Sequence, residues 1–132
     1  MNIESTGKKK WKWGFTHDTV YALVGFDHEF TAVLHGKFGK VYAHILWGYM
    51  TIHEGYEFDG CTLAPDFNDA LPGCAVHDAL LQILDAQPNL FPEQLAHNQL
   101  LHTHEEFHFS LARIYFWAVS GWPRKLYKRF IK

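Results

Sequence analysis

His77 and Asp78 stand side by side in Pro72-Gly73-Cys74-Ala75-Val76-His77-Asp78-Ala79-Leu80-Leu81-Gln82-Ile83-Leu84. An imidazole can take a proton from water, and a carboxylate can hold a hard cation. A second carboxylate, Asp59, lies in the preceding stretch Phe58-Asp59-Gly60-Cys61-Thr62-Leu63-Ala64-Pro65. These residue types suit metal-assisted hydrolysis, with His77, Asp78 and Asp59 as the catalytic set. A divalent cation, calcium or zinc, would be held by Asp59, Asp78 and His97. The same residues also read as a clasp in which His77 and Asp78 hydrogen-bond to the Asp59 loop and fix it. Either way Asp59 is expected beside His77. Gly60 permits a tight turn, while Pro65 and Pro72 limit the path back to the helix start.

Two further arrangements could do chemistry. His104-Glu105-Glu106-Phe107-His108 matches H-E-x-x-H, which on a helix places two imidazoles on one face for zinc, with Glu105 as base. No His, Asp or Glu follows His108 as a third ligand. A rescued site would recruit His97, because positions 97, 101, 104 and 108 form one helical stripe. No tetrahedral zinc is expected there. Cys61 or Cys74 could act as a nucleophile with His77 as base. The two cysteines could pair only if the loop folds back on the helix start. They are expected to be reduced, since the N-terminus runs from polar residues into Lys8-Lys9-Lys10 without the apolar stretch of a signal peptide.

Charge is segregated along the chain. From Val41 to Ala112 there is no Lys or Arg, while that span holds ten acidic residues and seven of the ten histidines. Carboxylates and imidazoles without competing cations favour a divalent metal; turn-capping acids flanked by solubilising basic ends are the plainer reading. The basic ends are Lys8 to Lys12 and Arg124 to Lys132. The aromatic and basic tail from Trp122 to Lys132 could lie on an anionic membrane surface or meet other proteins. Nothing resembles a nucleic-acid-binding motif. The longest apolar run, Leu111 to Trp122, is interrupted by Arg113 and is too short to span a bilayer.

The elements that must position these residues follow from periodicity. The 132 residues, 48% of them hydrophobic, suffice for one buried core. Residues 1–10 read as a disordered basic arm and 11–132 as a single α+β domain. Thr19 to Phe26 and Glu29 to Leu34 read as strands joined as a hairpin at Asp27-His28. Val41 to Glu54 reads as one or two more strands, broken near Gly48. The expected fold is a small N-terminal antiparallel β-sheet followed by about three helices. Ala75, Val76, Ala79, Leu80, Ile83 and Leu84 mark the first helix, with Pro72 near its start and Asp69 as cap. Pro92 opens a second helix with Leu95, Leu100 and Leu101 as its apolar face. Phe107 to Ser120 forms a third, with Phe109, Ala112, Phe116 and Val119 on one side and Gly121 at its stop.

Thr51 to Pro65 resembles the VPxGFxTDGASIP signature of the domain of unknown function 1353 family, small proteins common in tailed phages and prophages. His77-Asp78-Ala79-Leu80 is similar to that family's HDYLY element, and Arg113 to Gly121 to its YxAVRxxG helix. The resemblance covers roughly residues 50–121. Here Phe58 replaces the family's Thr, Cys61 its Ala and Thr62 its Ser, and His97 stands where an Asp is usual. The resemblance implies a phage protein, in the host cytoplasm or the virion, and no activity. Cys74-Ala75-Val76-His77-Asp78 also resembles the CxxHD helix of secreted phospholipases A2, which implies a His that activates water and an Asp that holds calcium. The glycine-rich calcium loop of those enzymes is not present here.

Overall fold

The computed structural model describes residues 2–36, 39–61 and 65–121. Among these residues seven short strands precede three helices, an α+β fold. Strands β1 (Ile3–Ser5), β2 (Trp13–Phe15) and β7 (Glu57–Phe58) form one antiparallel sheet in the order β1-β2-β7. Strands β3 (Thr19–Ala22), β4 (Ala32–His35), β5 (Val41–Leu46) and β6 (Tyr49–Ile52) form a second, in the order β3-β6-β5-β4. The single sheet expected from the pattern is therefore two. A strand also occupies Ile3–Ser5, inside the arm read as disordered, because Ile3 buries itself opposite Phe15.

The β5–β6 hairpin is the sheet's centre. Ala43, Ile45, Met50 and Ile52 alternate inward and are buried, and His44 faces Thr51 on the outer side. Its two-residue turn, Trp47-Gly48, has φ of 56° and 81°, the left-handed pair that matches strand twist. The expected hairpin of the two strands flanking Asp27-His28 does not form. β3 pairs with β6 and β4 with β5, so the two lie at opposite edges. Their connection turns at Asp27, which accepts the Phe30 and Glu29 amides. Phe26 and Phe30 then pack on Phe91 at the helical layer, with ring centroids 5.1 and 5.8 Å from it. Burial of that aromatic trio outweighs local strand pairing.

Helix α1 (Leu71–Ala86) is the core of the molecule, buried at eleven of its sixteen positions. Asp69 does not cap it. The chain enters through a 3-10 turn, Asn68–Ala70, and the Ala70 and Leu71 amides bond back to the Phe67 carbonyl. Helix α2 (Glu93–Glu106) packs along α1, and α3 (Ala112–Ser120) packs on α2. The buried face of α2 is more polar than its leucines suggested. Gln99 is fully buried, accepts the Val24 amide at 2.7 Å and donates to the Ala22 carbonyl at 2.9 Å. It thereby satisfies main-chain groups at the end of edge strand β3. On α3, Tyr115 takes the buried place expected for Phe116, which is half-buried.

The cysteines are paired, not reduced. Cys61 and Cys74 form a disulfide with their Cα atoms 5.1 Å apart. Cys61 does come back to the helix start, and its amide donates to Asp66 at 2.7 Å. Gly60, at φ 98°, leaves room for that carboxylate, which any side chain there would strike.

Gly73 shows how closely α1 and α2 meet. Replacing an interior helical glycine with alanine ordinarily gains about 1 kcal/mol. Here a Cβ would stand 2.5 Å from His104 Nδ1, and His104 is itself fully buried. Gly73→Ala is expected to destabilise the protein by about 1–3 kcal/mol, as overpacking does. Denaturant unfolding measures it; a raised midpoint would show that His104 can yield.

Candidate functional site on two faces of the central helix

His77 and Asp78 diverge as adjacent helical residues must. His77 turns to α2, where its Nε2 lies 2.9 Å from His97 Nδ1. One nitrogen donates and the other accepts. Both rings are buried, at 2% and 4% exposure. The Glu93 carboxylate, one turn back on α2 and partly exposed, stands 3.8 Å from His97 Nε2. The result is a carboxylate–imidazole–imidazole series that runs inward from the surface.

Asp78 works on the other face. Its charge, after burial itself, holds the Tyr56 hydroxyl well above the ordinary tyrosine range. Tyr56 is 1% exposed, and its oxygen completes no hydrogen bond, although the Gln82 carboxamide comes close enough to temper that rise. Gln82 is one turn beyond Asp78 on α1. Both Tyr56 and Gln82 line a cavity of about 670 Å³, together with Trp11, Tyr42, Glu57 and His35. The Gly36 and Gly55 main chain completes its wall, and Tyr42 lies directly over Gly36.

Asp59 is exposed and accepts the main-chain amide of Trp11. The structure ties it to the mouth of this cavity. The carboxylate that organises the loop is Asp66, which no sequence signal singled out. Besides the Cys61 amide it accepts Trp13 Nε1 at 2.9 Å, and Lys12 lies 3.8 Å away. Tyr115 from α3 bonds the Pro65 carbonyl at 2.5 Å, closing the same region from the helical side.

The H-E-x-x-H residues separate. α2 ends at Glu106, and His108 is exposed beyond it at φ 55°. His104 is fully buried between Phe109 and Tyr115, with neither ring nitrogen hydrogen-bonded. Burial lowers its pKa from 6.5 to about 4, so it is neutral at pH 7. The break after Glu106 removes the shared helical face that a zinc site of this pattern requires.

No protein-family model, curated protein or solved structure matches the chain.

A third histidine arrangement was missed in the sequence. On the outer side of the larger sheet, His44 Nδ1 lies 2.8 Å from His53 Nε2, and His53 Nδ1 lies 3.3 Å from Asp18. Asp18 also accepts the Glu54 amide at 2.8 Å; that bond first, and His53 second, hold its carboxyl below the ordinary range. The partners come from β5 and the ends of β6 and β3, so only strand register unites them. Among the described residues, no three His, Cys, Asp or Glu side chains are grouped to hold a metal ion. No helix among them is long and apolar enough to cross a membrane. The basic tail from Trp122 to Lys132, and Thr62 in the loop, lie outside the described residues.

Proposed function

We propose that this chain is a non-enzymatic accessory or particle protein of a tailed phage, in which His77 and His97 are a structural clasp between α1 and α2. The phage setting rests on the resemblance of residues 50–121 to the domain of unknown function 1353 family. The clasp rests on one observation: the two imidazoles are bonded to each other at 2.9 Å and are almost wholly buried. A general base must reach a substrate proton directly or through one water. His77 spends its Nε2 on His97 instead. The disulfide favours an oxidising setting, which among the expected locations points to the virion rather than the host cytoplasm. Partners would then be other phage proteins.

Thermal melting tests this reading. In chelator, His97→Phe is expected to destabilise the protein by about 1–3 kcal/mol, because it leaves a buried His77 nitrogen unpaired. Calcium or zinc is expected to leave the parent melting temperature unchanged. A rise on adding either ion, abolished by Asp78→Asn, would instead support the divalent site and reopen metal-assisted hydrolysis.

A further inference from the structure

We infer that the solvent face of α3, with the basic chain that follows it, is a docking surface for an anionic lipid bilayer. Ala112, Tyr115, Ala118 and Val119 turn the other face of that helix into the core. Ile114 and Trp117 stand outward at 59% and 53% exposure, one turn apart, and Leu111 is exposed just before the helix. Large apolar side chains gathered in one stripe, unlike scattered ones, mark an interaction site. The indole is also placed. It leans on Gly121, where a Cβ would lie 2.8 Å from Trp117 Cδ1, so the ring lies beside the start of the basic chain.

Charge decides the partner. Arg113 is exposed on α3, one turn before Trp117. From Phe107 to Lys132 the chain has six Lys or Arg and no Asp or Glu. After Gly121, eleven residues hold five of those cations, interleaved with Trp122, Leu126, Tyr127, Phe130 and Ile131. The acids nearest in sequence, Glu105 and Glu106, end α2, where Glu106 meets His102 at 2.5 Å.

At a bilayer, indole rings sit at headgroup level, aliphatic side chains reach the acyl boundary, and cations meet the anionic phosphates. One helix face and its continuation supply all of these groups. The larger sheet also exposes apolar residues, Val20, Val33, Leu46 and Tyr49, but its strands hold no Lys or Arg. A duplex nucleic acid would use the cations and leave Leu111, Ile114 and the indole in water. Docking on lipid requires neither the His77–His97 clasp nor a helix that crosses the bilayer.

Flotation of the full chain with lipid vesicles tests this directly. Vesicles of phosphatidylglycerol and phosphatidylcholine are expected to carry it upward, and vesicles of phosphatidylcholine alone are not. About 1 M salt, which shortens the screening length to about 3 Å, should weaken binding. Ile114→Gln/Trp117→Gln should weaken it at least about tenfold, since two side chains that would enter the bilayer are lost. Both positions are exposed and glutamine is a good helix former, so melting without lipid should not change. Arg113→Gln should weaken binding to the anionic vesicles while the apolar stripe stays whole. No flotation, equal flotation with both vesicles, or binding that survives the double variant would overturn the inference. Tighter capture by a duplex DNA fragment than by the anionic vesicles would overturn it in favour of nucleic acid. A double variant that melts lower, or a parent that is dimeric until those residues are changed, would show the stripe already covered and overturn it equally. His97→Phe should leave flotation unaltered, so failure here is separable from failure of the clasp.

Discussion

Reducing the Cys61–Cys74 disulfide is expected to lower stability by about 3 kcal/mol, and the melting temperature by about 10 °C. The bond closes a loop with a sequence separation of 13, and its removal restores to the unfolded chain the conformations that closure forbids. The cost is local as well. Cys74 sits in the first turns of α1, and Cys61 follows the Asp59-Gly60 turn. Asp66 would then hold the loop through hydrogen bonds alone. Melting with and without dithiothreitol measures the effect, and the Cys61→Ala/Cys74→Ala double variant should melt low and ignore the reductant. Identical melting of the parent in both conditions would mean that no such bond contributes.

Acid should destabilise the protein through His104. In the folded state burial holds its pKa at about 4, against an ordinary 6.5. Between those values the unfolded chain takes up a proton that the folded core refuses, so stability rises with pH there. The loss should begin as pH falls below about 6.5, reach about 3 kcal/mol near pH 4 and then level off. Above pH 6.5 both states are neutral and the residue adds no slope. His104→Leu should flatten this dependence, and at pH 7 it should cost little, since it also removes two unpaired buried nitrogens. Urea unfolding at a series of pH values reads the slope for both proteins. Parallel profiles would assign the acid loss to other groups.

The strand-then-helix order, α1 and the break at Gly121 were legible because apolar periodicity is local and the core is large enough to enforce it. The divergence of His77 and Asp78 was legible for the same reason, being a property of helical geometry alone. Asp59 and Asp66 were not distinguishable, since both are acids in one loop. Which one faces inward depends on where β2 delivers Trp13 and where α1 delivers Cys74.

What sequence by itself determined was the inventory: an α+β chain with a buried central helix and acids and histidines crowded between basic ends. Tertiary structure decided the pairings. It set His77 against His97, His44 against His53, Cys61 against Cys74, and Trp11 at the mouth of a cavity floored by Tyr56. It also divided His104 from His108, because a helix end is fixed by what the following turn can bury, here Phe109 and Tyr115 against His104. Periodicity acts over a few residues and can be read along the chain. A pair separated by twenty residues exists only when packing repays the entropy of bringing two elements together, and that balance belongs to the whole core.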